Sequence, residues 1–152
     1  MREAIPAPLR VFVDADVLFA GAASPSRHSA SQVILTLSEI TIIDAMTSQQ
    51  ALMEVERNLE KKLPTALPIF RLLVSRSLQV TATPEQKEIE PYRGLADSKD
   101  LPILVAALQN ECPWLVTFNG RHFQPGHTAV TTLTPGQFIQ RLRYLLTNFS
   151  SP

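Results

Sequence analysis

The acidic residues of this chain are spaced so that several of them can share one site. Asp14 and Asp16 directly follow an apolar segment, and Asp97 and Asp100 lie close together later in the chain. Carboxylates brought within about 4–6 Å of one another do not all stay ionised without a compensating cation. Oxygen ligands favour Mg²⁺ or Mn²⁺, which can activate water and stabilise charge on a phosphodiester. The pattern therefore points to a divalent-metal site.

Two further candidates, Glu54 and Glu56, lie in a segment with helical periodicity. Residues two positions apart on a helix point in different directions, so both glutamates cannot face one site. Leu52, Val55 and Leu59 define the apolar stripe of this helix. Glu54 lies near one edge of the stripe, whereas Glu56 is four residues from Leu52 and can also be drawn inward. Periodicity alone leaves the choice between the two open.

Thr117 and Asn119 follow a later apolar segment and complete the set of polar residues near strand ends. Each candidate also has a purely structural interpretation. Asp14 and Asp100 can cap a turn or a helix, and Asn119 precedes a glycine, which makes a good turn pair. The functional interpretation gains weight because the strand topology brings several of these residues to the same edge of a sheet.

The histidines and the single cysteine do not indicate a zinc site or a thiol nucleophile. His122 and His127 are five residues apart around a Pro-Gly turn, and no metal ligand with zinc-site spacing accompanies them. Cys112 lies in an apolar stretch without a Cys–His signature, which predicts a packed thiol. With one cysteine no internal disulfide forms, and this fits a reducing cytoplasm.

Apolar segments typical of β-strands alternate with helical patterns along the whole chain. The predicted strands are 9–13, 41–45, 78–83, 114–117 and 129–132. The predicted helical segments are 29–39, 47–62, 65–77, 84–90, 100–110 and a last one from 134. This alternation predicts an α/β fold, a three-layer α/β/α sandwich with a mainly parallel central sheet. In such sheets ligands bind beyond the carboxyl ends of the strands, where the candidate residues lie.

Two of the predicted helices begin with recognisable caps. Thr47 is followed three residues later by Gln50, which is a capping-box pattern. Thr134 precedes Pro135, an N-cap followed by proline at the first helical position. The last helix carries an apolar stripe of leucines: Leu142, Leu145 and Leu146.

Length and charge limit the classes of function. The 152 residues are the size of one domain, and we expect a single domain over 1–152 with short irregular tails at about 1–8 and 148–152. The 14 basic and 14 acidic residues balance, so overall charge does not hold nucleic acid, and a partner or a dimer is expected to complete a binding surface. No apolar run approaches the roughly 20 residues that span a membrane, and the N-terminus lacks a secretory signal, so the expected location is the cytoplasm.

The first two of four segments, taken in order, resemble motifs of the PIN-domain nuclease family. VFVDADVLFAG, residues 11–21, resembles the family's opening strand with its first acid at Asp14. SQQALMEVERNL, residues 48–59, resembles the helix that carries the second acid, and the match falls on Glu54.

The other two segments continue the same resemblance over nearly the whole chain. DSKDLPILVAAL, residues 97–108, resembles the third block, with Asp100 in the principal acidic position and Asp97 accessory. LVTFNGRHF, residues 115–123, resembles the fourth block, in the branch of the family that has Thr-x-Asn rather than Thr-x-Asp. The closing TPGQFIQRL also suits that branch.

The resemblance implies a metal-dependent endoribonuclease that hydrolyses RNA phosphodiester bonds. Asp14, Glu54 and Asp100 would then bind one or two Mg²⁺ or Mn²⁺ ions, and Asp97 would assist through water. Asn119 would bind through its carbonyl or position a metal-bound water. Many relatives, including the VapC-like toxins, pair with an antitoxin that blocks the site. The implied partners are therefore RNA, an antitoxin protein and a second copy of the chain.

Two positions depart from the family pattern. Asn119 carries no charge and balances a second cation less well than aspartate, so one firmly bound metal is the safer expectation. Asp16 stands where asparagine is common, and its extra charge partly compensates. Arg121 and His122 lie just beyond Asn119 and are expected to meet substrate phosphate, although an exposed loop pair of this kind is more often simply solvated.

Two other functions fit parts of the same pattern. In a haloacid-dehalogenase-like phosphatase, Asp14 would be a nucleophile and Asp16 a general acid, but the acidic segment 94–100 lacks the apolar strand that should precede it. Alternatively, a PIN-like fold with a weakened fourth position binds RNA or a protein without cutting. Stabilisation by Mn²⁺ would distinguish a working metal site from that module.

Overall fold

Strands and helices alternate in the computed structural model, which describes residues 8–24, 26 and 28–149. The strands are β1 Leu9–Val13, β2 Ile43–Ser48, β3 Leu78–Thr81, β4 Trp114–Val116 and β5 Thr131–Leu133. The helices are α1 Ala15–Ala23, α2 Ala30–Glu39, α3 Gln49–Lys62, α4 Leu67–Ser77, α5 Gln86–Ile89, α6 Leu101–Gln109 and α7 Pro135–Phe149. Short 3₁₀ turns lie at Pro64–Ala66, Glu90–Tyr92 and Gly120–Phe123.

All strand pairs are parallel, and the sheet order is β3-β2-β1-β4-β5. The predicted α/β fold with a parallel central sheet is confirmed. The chain first builds the sheet outward from β1 to β3 and then returns to the other side of β1 with β4. The strand order therefore reverses between β1 and β4, and at such a switch point a crevice opens beyond the carboxyl ends of the strands.

The register at the switch point decides which side chains meet there. Val13 of β1 pairs with Val116 of β4, and the N–H of Asp14 donates to the carbonyl of Val116 at 3.0 Å. Asp14 and Thr117 are the next residues of the two strands and therefore lie side by side. The three residues before Asp14 are fully buried, so β1 is held in the core and fixes the height of Asp14.

Some predicted boundaries were wrong. The strand predicted at 41–45 runs instead from Ile43 to Ser48, and the last strand is 131–133 rather than 129–132. Ser48, not Thr47, caps α3, because its hydroxyl accepts the N–H of Ala51. The Thr47 hydroxyl is buried and donates to the carbonyl of Val13 at 2.9 Å, so it bonds β1 and not the first turn of α3.

Helix α1 was absent from the prediction. Its sequence, ADVLFAGAA, is apolar on nearly every side and has no amphipathic period to recognise. At the other end of the chain, the predicted cap at Thr134 forms, and Gln137 adds an unpredicted reciprocal bond; the two distances are 3.2 and 3.0 Å. Of the predicted leucine stripe in α7, only Leu142 is buried.

The predicted irregular tails lie mostly outside the described residues. Residues 148 and 149, which were assigned to the second tail, belong to the last turn of α7. Among the described residues, no helix is both long and apolar enough to cross a membrane.

Candidate functional site

Asp14 occupies the position between the end of β1 and the start of α1, and its carboxylate is 8% exposed. Oδ1 accepts the N–H of Ala15 at 2.8 Å, and Oδ2 accepts the Thr117 hydroxyl at 2.9 Å. Burial is the main cause that raises the pKa of Asp14 to about 7; the negative charges of Asp16 and Asp100 add to it, and the hydrogen bonds from Thr117 and Ala15 oppose it. The site therefore holds a carboxyl group that is costly to ionise without a nearby cation.

A cleft of about 610 Å³ brings together three of the predicted acids from three separate elements: Asp14, Glu54 and Asp100. Asp14 comes from the end of β1, Glu54 from α3, and Asp100 from the residue that precedes α6. The pKa of Asp100 is also raised, chiefly by burial, while the charges of His122 and Lys99 oppose that effect. A cavity of similar size between β5 and α7 contains no acidic side chain.

The structure separates the two glutamates of α3. Glu54 is exposed and lines the cleft with Asp14. Glu56 is half-buried and lies 3.6 Å from the Arg71 guanidinium of α4. Glu56 is therefore engaged on another face of the helix, which periodicity alone could not tell.

Asp16 lies beside Asp14 but is held by donors from the loop after β4. Its Oδ2 accepts the N–H of Phe118 and the side-chain amide of Asn119, each at 3.0 Å, and lies 3.4 Å from the Thr117 hydroxyl. Its Oδ1 is buried without a hydrogen-bond partner among the described residues. Burial is the main cause of a raised pKa at Asp16.

Asn119 lies differently from the expectation that its carbonyl would meet the metal. An ionised carboxylate only accepts hydrogen bonds, so the amide nitrogen of Asn119 faces Asp16. Asn119 does not line the cleft of the three acids, and it borders a separate cavity of about 660 Å³ with Arg121 and His122. In this arrangement Asn119 orients Asp16.

Asn119→Asp is expected to destabilise the metal-free protein by about 1–3 kcal/mol, because it exchanges a donor for a second carboxylate facing Asp16. Urea unfolding in EDTA at pH 7.5 measures the change. Asn148→Asp, at an exposed position of α7, is the matched control and should stay near the wild type. Equal stability of Asn119→Asp and Asn148→Asp would show that the amide does not hold Asp16.

His122 has acidic neighbours that the sequence interpretation did not foresee. Asp97, Asp100 and His122 each place one ligand atom within 4.8 Å of the others, and His122 Nδ1 lies 3.2 Å from Asp100 Oδ2. The expectation that this histidine has no ligands nearby was wrong. This proximity could not be found from local sequence, because it depends on a contact between two separate loops. The N–H of Asp97 donates to the His122 carbonyl at 2.8 Å and joins them.

His127 is not part of this group. Its Nδ1 accepts the N–H of Ala129, and its ring contacts Tyr92 edge-on. Arg121 is exposed and borders the cavity with Asn119, outside the cleft of the three acids. The two side chains predicted to bind phosphate, at 121 and 122, therefore lie beside that cleft rather than in it.

Three cationic side chains that the sequence interpretation did not single out line the cleft: Arg57, Lys61 and Lys99. Arg57 and Lys61 follow Glu54 by three and seven residues, so helical spacing places them on the same side of α3. This spacing was visible in the sequence and identifies them once Glu54 is chosen.

The donors of the cleft fit a hard divalent cation. Three carboxylates from separate elements offer only oxygen atoms, the ligand type that Mg²⁺ and Mn²⁺ prefer. The pKa of Asp14 is raised chiefly by burial and then by the charges of Asp16 and Asp100, and a bound cation would offset this cost of ionisation. Asp97 and His122 add a second group of donors around Asp100.

Comparisons with known proteins bear on the family and the fold of the chain. No curated protein has a significantly similar sequence. Among solved structures, the chain is similar to a chain in the crystal structure of VapBC2 from Rickettsia felis, in which VapBC2 is bound to a DNA fragment from its promoter. The two share 14% identity and a TM-score of 0.57, and the alignment covers 82% of this chain and 99% of that one. A family model described as the PIN domain matches residues 10–121, and the chain therefore belongs to the PIN-domain family of nucleases.

Proposed function

We propose that this protein is a metal-dependent endoribonuclease that hydrolyses RNA phosphodiester bonds, with Asp14, Glu54 and Asp100 as the metal ligands. The observation that carries the proposal is that these three carboxylates line one cleft at the switch point of the sheet. The phosphatase alternative is wrong, because the chain belongs to the PIN-domain family.

The residues around the ligands have distinct roles in this proposal. A bound Mg²⁺ or Mn²⁺ supplies Lewis-acid chemistry for hydrolysis. The Thr117 hydroxyl and the Ala15 N–H hold the two oxygens of Asp14 in one orientation. Asp16, itself held by Asn119, adds negative charge behind Asp14. These contacts preorganise the first ligand, which favours metal binding.

Asp97 and His122 are accessory in the proposal. Both group around Asp100, so they orient its carboxylate and offer a second position for a cation that shares this ligand. Nearby Lys99 opposes the rise in the pKa of Asp100 and so favours its ionised, metal-binding form. Arg121 borders the adjoining cavity, where it is available to an RNA strand leaving the cleft.

Partners are also part of the proposal. The similar Rickettsia felis chain comes from a VapBC2 structure, which supports a toxin of a toxin–antitoxin pair with an antitoxin as partner. Several apolar side chains in the turn after α2, on α3 and on α4 are exposed and are candidates for contact with such a partner: Ile40, Ile42, Met53, Ile69 and Leu72. We also propose that the protein forms a homodimer, since α7 exposes three more apolar side chains: Tyr144, Leu145 and Leu146.

A paired substitution on α3 tests the proposed function. Purified protein is expected to cleave structured and single-stranded RNA with Mg²⁺ or Mn²⁺ and not with EDTA. Glu54→Gln should lower the rate by on the order of 10²-fold and weaken Mn²⁺ binding in calorimetry, because it removes one charged ligand. Glu56→Gln, two residues away and paired with Arg71, is the control and should retain both properties.

The outcomes separate the nuclease from a non-cutting module. RNA binding without metal-dependent cleavage would support the non-cutting PIN-like module, for which the uncharged Asn119 is the favouring observation. If Glu54→Gln and Glu56→Gln behave alike in calorimetry, Glu54 is not a metal ligand.

A further inference from the structure

The cleft of the three acids is also lined by three cations that form no close ion pair. Arg57, Lys61 and Lys99 line it, and none of the three has a carboxylate within 4.0 Å in the described part of the chain, although the charge of Lys99 favours the ionised form of Asp100. Some cations elsewhere do pair, as Arg71 does with Glu56 and Arg93 with Glu90. Unpaired cations in a cleft are positioned to bind an anionic ligand.

Their order along α3 gives the ligand a direction. With a rise of about 1.5 Å per residue, Arg57 lies about 5 Å and Lys61 about 10 Å along the helix axis from Glu54. Lys99 is adjacent to Asp100 in the chain and lies on the other wall of the cleft. The cations therefore extend from the metal-binding acids along α3, as the successive phosphates of one strand do.

The remaining lining limits what else the cleft can recognise. Among the described residues no aromatic side chain lines it, so the lining offers no stacking surface for a base. Several uncharged polar side chains that can meet sugars line it instead: Gln49, Gln50, Asn58 and Thr83. This chemistry fits the sugar-phosphate backbone of a single strand.

We propose that Lys99, Arg57 and Lys61 bind successive phosphates of a single-stranded RNA that runs from the cleavage position along α3. This inference rests on the proposed function for the identity of the strand. It makes these three side chains substrate-binding residues in addition to the predicted Arg121 and His122. It also requires that a good substrate extend roughly two nucleotides beyond the cleaved bond on the α3 side.

Lysines at adjacent positions of α3 supply the test. Binding of a fluorescent single-stranded RNA oligonucleotide is followed by anisotropy in EDTA at several KCl concentrations, so the readout does not depend on cleavage. Lys61→Gln is expected to weaken binding several-fold and to reduce the slope of log K against log[KCl] by about 0.7, the contribution of one phosphate contact on a single strand. Arg57→Gln should act in the same direction.

Lys62→Gln is the matched control, because Lys62 lies over the Phe19 ring at 5.5 Å and does not line the cleft. It should bind RNA like the wild type. Equal losses in Lys61→Gln and Lys62→Gln would reveal a general charge effect and overturn the proposal, as would unchanged binding in both cleft variants. Tighter binding of DNA of the same sequence would overturn RNA as the ligand. A protein that binds as expected but never cleaves with Mn²⁺ would refute the proposed function alone.

Discussion

Asp14→Asn is expected to reduce Mn²⁺-dependent RNA cleavage by on the order of 10³-fold or more while the protein stays folded. Asparagine has the shape of aspartate but cannot supply the negative charge that holds a divalent cation. Its carbonyl can still accept the Ala15 N–H, and its amide can donate to the Thr117 oxygen, so the local hydrogen bonds are replaced rather than lost. The loss of activity should therefore come from weaker metal binding and not from unfolding.

Asp44→Asn controls for the loss of one aspartate. Asp44 lies near the start of β2, at the amino ends of the strands and therefore at the end of the sheet opposite the cleft. Its carboxylate is 3.9 Å from the Arg10 guanidinium. This variant should cleave RNA at nearly the wild-type rate, and Mn²⁺ should raise its melting temperature as it does for the wild type. Cleavage that persists in Asp14→Asn, with near-normal Mn²⁺ binding, would remove Asp14 from the metal site.

The central part of this site was predictable because it depends on local order in the sequence. An apolar run ending in an acid places Asp14 at the end of a strand, and alternation of strands and helices makes the sheet parallel. Asp100 follows from the same logic, since it begins the helix that leads into the next apolar strand. In a parallel α/β fold these positions share one edge, whatever the details of the loops.

Other features depend on contacts between distant segments and could not be predicted. The orientation of Asn119 is set by its bond to Asp16, across more than one hundred residues. His122 meets Asp100 because its own carbonyl binds the N–H of Asp97. Thr47 and Ser48 are both good caps by type, and only the buried bond from Thr47 to Val13 decides between them.

The choice of Glu54 over Glu56 was only partly predictable from the sequence. Helical periodicity places the two on different faces but does not say which face meets the cleft. The resemblance in the sequence favoured Glu54, and the lining of the cleft agrees in position. The ion pair of Glu56 with Arg71 gives the physical reason, because α4 provides the cation on the other face.

The metal-free wild type is expected to become more stable as the pH falls from about 7 towards 4. The pKa of Asp14 is raised from 3.8 to about 7 in the folded state, so between these values the folded protein keeps a proton that the unfolded chain loses. Folding is therefore favoured as the pH falls through this window, and above pH 7 the cost of a buried charge is fully present. The raised pKa values of Asp16 and Asp100 act in the same direction.

The size of the effect is set by the shift. One pKa unit corresponds to about 1.4 kcal/mol, so the shift of Asp14 sets an upper limit of roughly 4 kcal/mol. Asp14→Asn removes this titration. In EDTA at pH 7.5 it should be more stable than the wild type by about 2–3 kcal/mol, and the difference should shrink towards pH 5.

Urea unfolding followed by the fluorescence of Trp114, the single tryptophan, measures both proteins at each pH. Trp114 is a suitable probe because its ring packs edge-on against buried Phe138 at 5.6 Å. Asp44→Asn should follow the wild type at every pH. Saturating Mn²⁺ should reverse the trend in the wild type, since metal and protons compete for the same carboxylates. Parallel pH profiles for the wild type and Asp14→Asn in EDTA would mean that folding does not raise the pKa of Asp14, and the cost of ionisation that a bound cation would offset would be absent.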